Sequence, residues 1–183
     1  MPLVHVDPLV ELLDEVRSGD AGAARVRERW LLHQAEEGAT IQGALVDLAE
    51  RAAEVVVRTT AGRALSGVVV AVGRDFAAIR GQDGRATCVS LGSIATVRPR
   101  RGERQPLPTG DRTAPLDLLL IEVLGRLVDD RPRIAVATRG GELVAGELRS
   151  VGADLVTIRL DGGPGTLCYV AAAAIDEVVL DAG

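Results

Sequence analysis

Residues 55–97 of this chain are written a second time, more loosely, at 134–178. With a constant shift of 79 positions, nine pairs are identical without a gap: Val57/Val136, Thr59/Thr138, Gly62/Gly141, Gly67/Gly146, Val72/Val151, Gly73/Gly152, Asp75/Asp154, Ile79/Ile158 and Arg80/Arg159. Several of these are glycine or aspartate at turn-like places. A period this long exceeds a solenoid unit and suits a small domain. The 183 residues therefore divide, as an expectation, into an N-terminal helical region (1–38), a first unit with its leading helix (39–98), an Arg/Pro-rich linker (99–112) and a second unit with its own leading helix (113–183).

Composition narrows the chemistry. Hydrophobic residues make up 47% and charged residues 26%, the balance of an ordinary globular protein. Aromatics are only 2%, namely Trp30, Phe76 and Tyr169, so aliphatic side chains must fill the core. No position is lysine or asparagine, and all 21 basic residues are arginine. Schiff-base catalysis and a phosphate-binding Walker lysine are thereby excluded. A net charge of −5 opposes a globally basic nucleic-acid binder and leaves room only for a local patch. Acids interrupt the apolar residues of 1–16, no secretory signal is expected, and no apolar run is long enough to span a membrane. Two cysteines make no disulfide framework, which points to a cytoplasmic location.

Local patterns predict the elements. Asp7-Pro8 reads as a helix start, and a second helix is expected over 21–36, with Val26, Trp30 and Leu31 at helical spacing. Thr40 is placed to cap a third helix with Ile41, Leu45, Leu48 and Ala52 on one face. Branched residues then signal strands at 55–57, 63–72, 76–80, 86–91 and 94–97, with Gly67 inside the long strand as a bend. After the prolines and glycines of 98–111, Thr113 and Pro115 are expected to open a helix carrying Leu116, Leu119, Leu120, Val123, Leu124 and Leu127. Five strands follow again, from 133–138 onward.

A helix feeding a strongly bent five-stranded antiparallel sheet resembles the Sm/LSm-like (Hfq-like) superfamily. Val57, Gly62, Gly67, Val69 and Val72 look like its first motif, and the run Ile94-Ala95-Thr96-Val97-Arg98-Pro99 is similar to the end of its second. The resemblance implies a mostly β, α+β fold: a tandem repeat of two Sm-like small β barrels, each a helix plus a five-stranded bent antiparallel sheet, after an N-terminal helical region. It also implies RNA binding and oligomers joined through barrel edge strands. The base-contacting positions depart from the pattern. Counting from Gly67, the family's loop aspartate falls on Gly73 and its uridine-contacting asparagine on Ala77, while Leu91, Gly92 and Ser93 stand where the Hfq-like branch carries a lysine-histidine pair.

Each candidate residue carries two readings. Asp75 and Asp154 follow Gly-x at equivalent tips, where aspartate either contacts a ligand or accepts backbone hydrogen bonds in its own turn. Arg80 and Arg159 end equivalent strands, as a phosphate-binding pair or as charges that protect strand edges. Arg74 neighbours the first of these aspartates. Arg98, Arg100, Arg101 and Arg104 form the one dense basic cluster, either a nucleic-acid backbone contact or a solvated linker. Cys88 and Cys168 fit a buried interior, and His5 and His33 lack metal-ligand spacing. No catalytic constellation, metal site or cofactor site is expected. The sequence thus reads as a non-catalytic binding protein for RNA or another nucleic acid, or alternatively as a protein-protein interaction scaffold without an RNA site.

Overall fold

Branched aliphatic side chains dominate the extended segments, and the described residues form ten strands, with a clear alternation of buried positions at residues 54–59 and 143–148. The computed structural model describes residues 25–100, 112, 114–162 and 165–181. Helix α1 covers residues 25–37, and α2 spans Ile41–Glu50. Strands β1 (Glu54–Thr59), β2 (Ala64–Val72), β3 (Phe76–Arg80), β4 (Ala86–Ser90) and β5 (Ile94–Pro99) follow. Helix α3 (Leu120–Leu127) leads into β6 (Arg133–Thr138), β7 (Leu143–Val151), β8 (Leu155–Leu160), β9 (Leu167–Ala171) and β10 (Ile175–Asp181). The helix expected from Asp7 lies outside the described residues.

All ten strands belong to one antiparallel sheet, in the order β5-β1-β2-β3-β4-β10-β6-β7-β8-β9. This overturns the expected pair of Sm-like barrels. The sheet is open, with β5 and β9 as its free edges, and neither run of five strands stands as a unit of its own. The reason lies at β4. Its outer backbone groups are satisfied by β10, with Val89 opposite Glu177, Cys88 opposite Val178 and Thr87 opposite Val179, so the two runs fuse into one surface. The core disregards the expected division too. Phe76, Ala78 and Cys88 pack in the same cluster as Leu120, Leu124, Val136, Leu148, Ile158 and Val178. A second cluster, around Leu45, Val57, Val69, Val72 and Val89, sits beneath α2. Truncating a fully buried leucine such as Leu45 or Leu124 to alanine costs about 2–5 kcal/mol.

Within the fused sheet the pairing order recurs: β5-β1-β2-β3-β4 is matched by β10-β6-β7-β8-β9. Val57 lies opposite Val97 in the first run, and Val136 opposite Val178 in the second. Gly67 and Gly146 occupy equivalent places of close backbone approach in β2 and β7 for the same reason. A Cβ there would lie 2.1 Å from the Arg80 carbonyl oxygen and 2.0 Å from that of Arg159.

The helices follow their caps. Thr40 accepts a hydrogen bond from the Gly43 amide at 3.0 Å and starts α2 as expected. The helix expected from Thr113 and Pro115 begins only at Leu120. Residues 115–119 are not helical; there the Leu116 amide bonds the Val72 carbonyl and the Leu118 carbonyl accepts from Arg74.

Candidate interaction site

The sequence candidates do not converge on one surface. Asp75 lies in the β2–β3 turn, and its carboxylate accepts the Leu120 amide at 2.7 Å, capping the first turn of α3. Its counterpart Asp154, in the β7–β8 turn, is exposed, and its side chain has no hydrogen bond among the described residues. Arg74 sits beside Asp75, 57% exposed, with its Nε 3.8 Å from Asp117. Arg80 is exposed at the end of β3. Arg98 belongs to β5, so the basic cluster begins inside the sheet and not in a linker. Arg100 bonds Glu54 through both its amide and its guanidinium, and the side-chain hydrogen bond with the charge of Glu54 raises its pKa. Arg159 bonds Glu147 across β7 and β8. The Glu147 carboxyl is held below its ordinary value by the hydrogen bond from Arg149, with the charge of Arg159 adding to it. Arg101 and Arg104 lie outside the described residues.

Two clefts of about 460 Å³ include some of these residues. The first lies where the two runs of strands meet, lined by Arg74, Asp75, Gly92, Leu120, Arg139 and Ile175 among others. The Arg139 guanidinium stands over Gly92, 3.1 Å from where a Cβ would be. The second cleft brings Arg131, Arg133 and Arg159 together with Glu147 and Asp161, so its cations are largely matched by acids. No aromatic lines either cleft, and stacking on bases has no platform there. Among the described residues, no group of His, Cys, Asp and Glu gathers that could hold a metal ion. None of their helices is long and apolar enough to cross a membrane.

The line where β4 meets β10 carries a polar contact shielded from water on its acidic side. Glu177 on β10 is 1% exposed and lies 2.5 Å from the guanidinium of Arg63, from the turn between β1 and β2. Burial pushes the Glu177 carboxyl above its ordinary range, against the pull of Arg63. Neighbouring Asp176 is fully buried, and neither of its carboxylate oxygens has a partner among the described residues. Cys88 is buried beside this line, and the lost solvation pushes its thiol up to about 11.

The free edge at β9 presents what sequence reasoning missed. Tyr169 is 64% exposed and Leu167 45%, on the face opposite the buried Val170. Leu155, on the neighbouring strand, is 37% exposed on the same outer face. The signal was present in the sequence. β9 reads Leu-Cys-Tyr-Val, apolar on both faces, where a strand at a solvated edge alternates apolar with polar. An apolar outer face beside unpaired main-chain groups is a template for strand addition. No protein-family model matches this chain, and no curated protein matches it in sequence.

Proposed function

We propose that this chain acts by binding and not by catalysis, as a protein-interaction module that works through the open edges of its sheet. The observation that carries this reading is the β9 edge, where Leu167 and Tyr169 face solvent next to unpaired backbone. Backbone hydrogen bonds along such an edge supply affinity, and alternate side chains supply selectivity. The candidate arginines weigh against nucleic acid as the main ligand. Arg100, Arg159 and Arg74 already face Glu54, Glu147 and Asp117. Of the aromatics, Phe76 is buried, Trp30 lies on α1, and Tyr169 stands alone on the outer face. In this reading the protein needs no cofactor and keeps both thiols free in a reducing cytoplasm.

Crosslinking in cells, with bound protein identified by mass spectrometry and bound RNA by sequencing, tests the proposal. The expected result is protein adducts at β9 that survive nuclease treatment and vanish in the double variant Leu167→Lys/Tyr169→Lys. Dominant RNA adducts at Arg74, Arg80 or Arg98, unchanged in that variant, would overturn it.

A further inference from the structure

The recurring pairing order gives every residue at the β4–β10 line a counterpart at a free edge. Ile79 pairs with Thr87, while its counterpart Ile158 pairs with Cys168, so Cys88 of β4 corresponds to Tyr169 of β9. Val178 of β10 likewise corresponds to Val97 of β5, each lying opposite the matching valine of β1 or β6. The line that is filled inside the chain is thus left half-built at each end.

Burial records the missing half. Phe76 is 2% exposed at the internal line, and its counterpart Leu155 is 37% exposed. Cys88 is 7% exposed and Tyr169 64%. On the helix side, Leu120 at the start of α3 is 5% exposed, and Ile41 at the start of α2 is 42% exposed. The polar contacts tell the same story. Asp75 caps the Leu120 amide, whereas the carboxylate of Asp154 has no hydrogen bond among the described residues.

We propose that the partner at the β9 edge is the β5 edge of a second copy of this chain, seated in the register that β4 and β10 use. This rests on the edge-binding reading above and names its occupant. The register places Thr96, Val97 and Arg98 of the second copy opposite Val170, Tyr169 and Cys168. Tyr169 and Leu155 then cover Val97 of the second copy, as Cys88 and Phe76 lie against the part of the core that holds Val178. The carboxylate of Asp154 meets the first turn of α2 at Ile41. The ion pair is preserved with its signs reversed. Where Arg63 meets Glu177 inside the chain, Glu142 is the counterpart of Arg63, and it faces Thr96 of the second copy and Arg58 beside it. Glu142 and Arg58 have no ion pair of their own among the described residues, and Arg58 is exposed on β1. Each copy offers one β5 and one β9, so the contact is head-to-tail and builds a ring or a filament.

The test uses the full chain and its native Cys168. An Arg98→Cys variant, oxidised with diamide, is expected to form disulfide-linked oligomers that disappear when Cys168→Ser is added, because opposed residues of an antiparallel pair lie within disulfide reach. Val97→Cys, whose side chain points to the other face, is the control. Glu142→Arg and Arg58→Glu should each weaken association roughly tenfold, and the two together should restore it. A wild-type chain that stays monomeric at micromolar concentration overturns the proposal, as does crosslinking by Val97→Cys in place of Arg98→Cys. If that monomer still crosslinks to a different protein through β9, edge binding stands and only the second copy falls.

Discussion

The carboxylate of Glu177 lies 2.5 Å from the guanidinium of Arg63 across the line where β4 meets β10, and it is almost fully shielded from water. Burial outweighs the attraction of Arg63, so the folded protein favours the protonated acid more than the unfolded chain does. Stability from this group is therefore fully present below the ordinary glutamate value of 4.5 and is lost as pH rises through the higher folded value. Glu177→Gln is expected to flatten this part of the pH profile in urea unfolding. Arg63→Ala at neutral pH should cost about 1–3 kcal/mol, because it leaves a buried carboxylate without its cation. Parallel wild-type and Glu177→Gln profiles would show that the buried acid does not couple to folding.

Cys88 and Cys168 should react very differently. With its thiol pushed up to about 11, Cys88 carries roughly one thiolate in a thousand at pH 8, and it is buried as well. Ellman's reagent is expected to label Cys168 first and Cys88 only after denaturation. Equal rates in the folded protein would contradict the packing described for β4.

Two glycines and a third of a different kind predict opposite outcomes. Alanine at Gly67 or Gly146 would drive a Cβ into a backbone carbonyl that cannot swing aside, so each substitution should cost about 1–3 kcal/mol or more. Gly125 sits inside α3 with nothing within 4 Å of its would-be Cβ. Gly125→Ala should stabilise the protein by about 1 kcal/mol through helix propensity. Thermal melts of the three variants check all three signs.

The two turn aspartates separate folding from association. Asp75→Ala removes the cap on α3 and should lower stability by about 1 kcal/mol at any protein concentration. Asp154→Ala should leave the dilute chain unchanged and weaken self-association. Chemical unfolding with sedimentation velocity on both variants distinguishes the roles.

What was legible in the sequence was local. Thr40 as a cap, glycine inside the long strands at Gly67 and Gly146, and the alternation of β1 all follow from short-range sterics and periodicity. The pairing of β4 with β10 was not legible, because it joins residues such as Cys88 and Val178 that are far apart in sequence and depends on which edge is free. The expected pair of separate barrels failed at that point. Residues 116–119 misled for a related reason: their leucines suit a helix, but their backbone is hydrogen-bonded to Val72 and Arg74 and is not helical. Arg98 and Arg100 looked like linker because Pro99 lies between them, although proline is tolerated at the edge of a sheet. Cys88 and Cys168 share a strand position in name only. The longer turn before β9 moves Tyr169 into the place that corresponds to Cys88, and no count along the sequence reveals that without the register.

The most direct measurement is the solution mass of the full chain by light scattering across a range of micromolar concentrations, beside Leu167→Lys/Tyr169→Lys. The wild type should exceed the mass of one chain and grow with concentration, while the variant stays at one chain with its fold intact. A wild-type mass of a single chain throughout, or assembly untouched by charges on β9, would contradict the joining of copies at this edge.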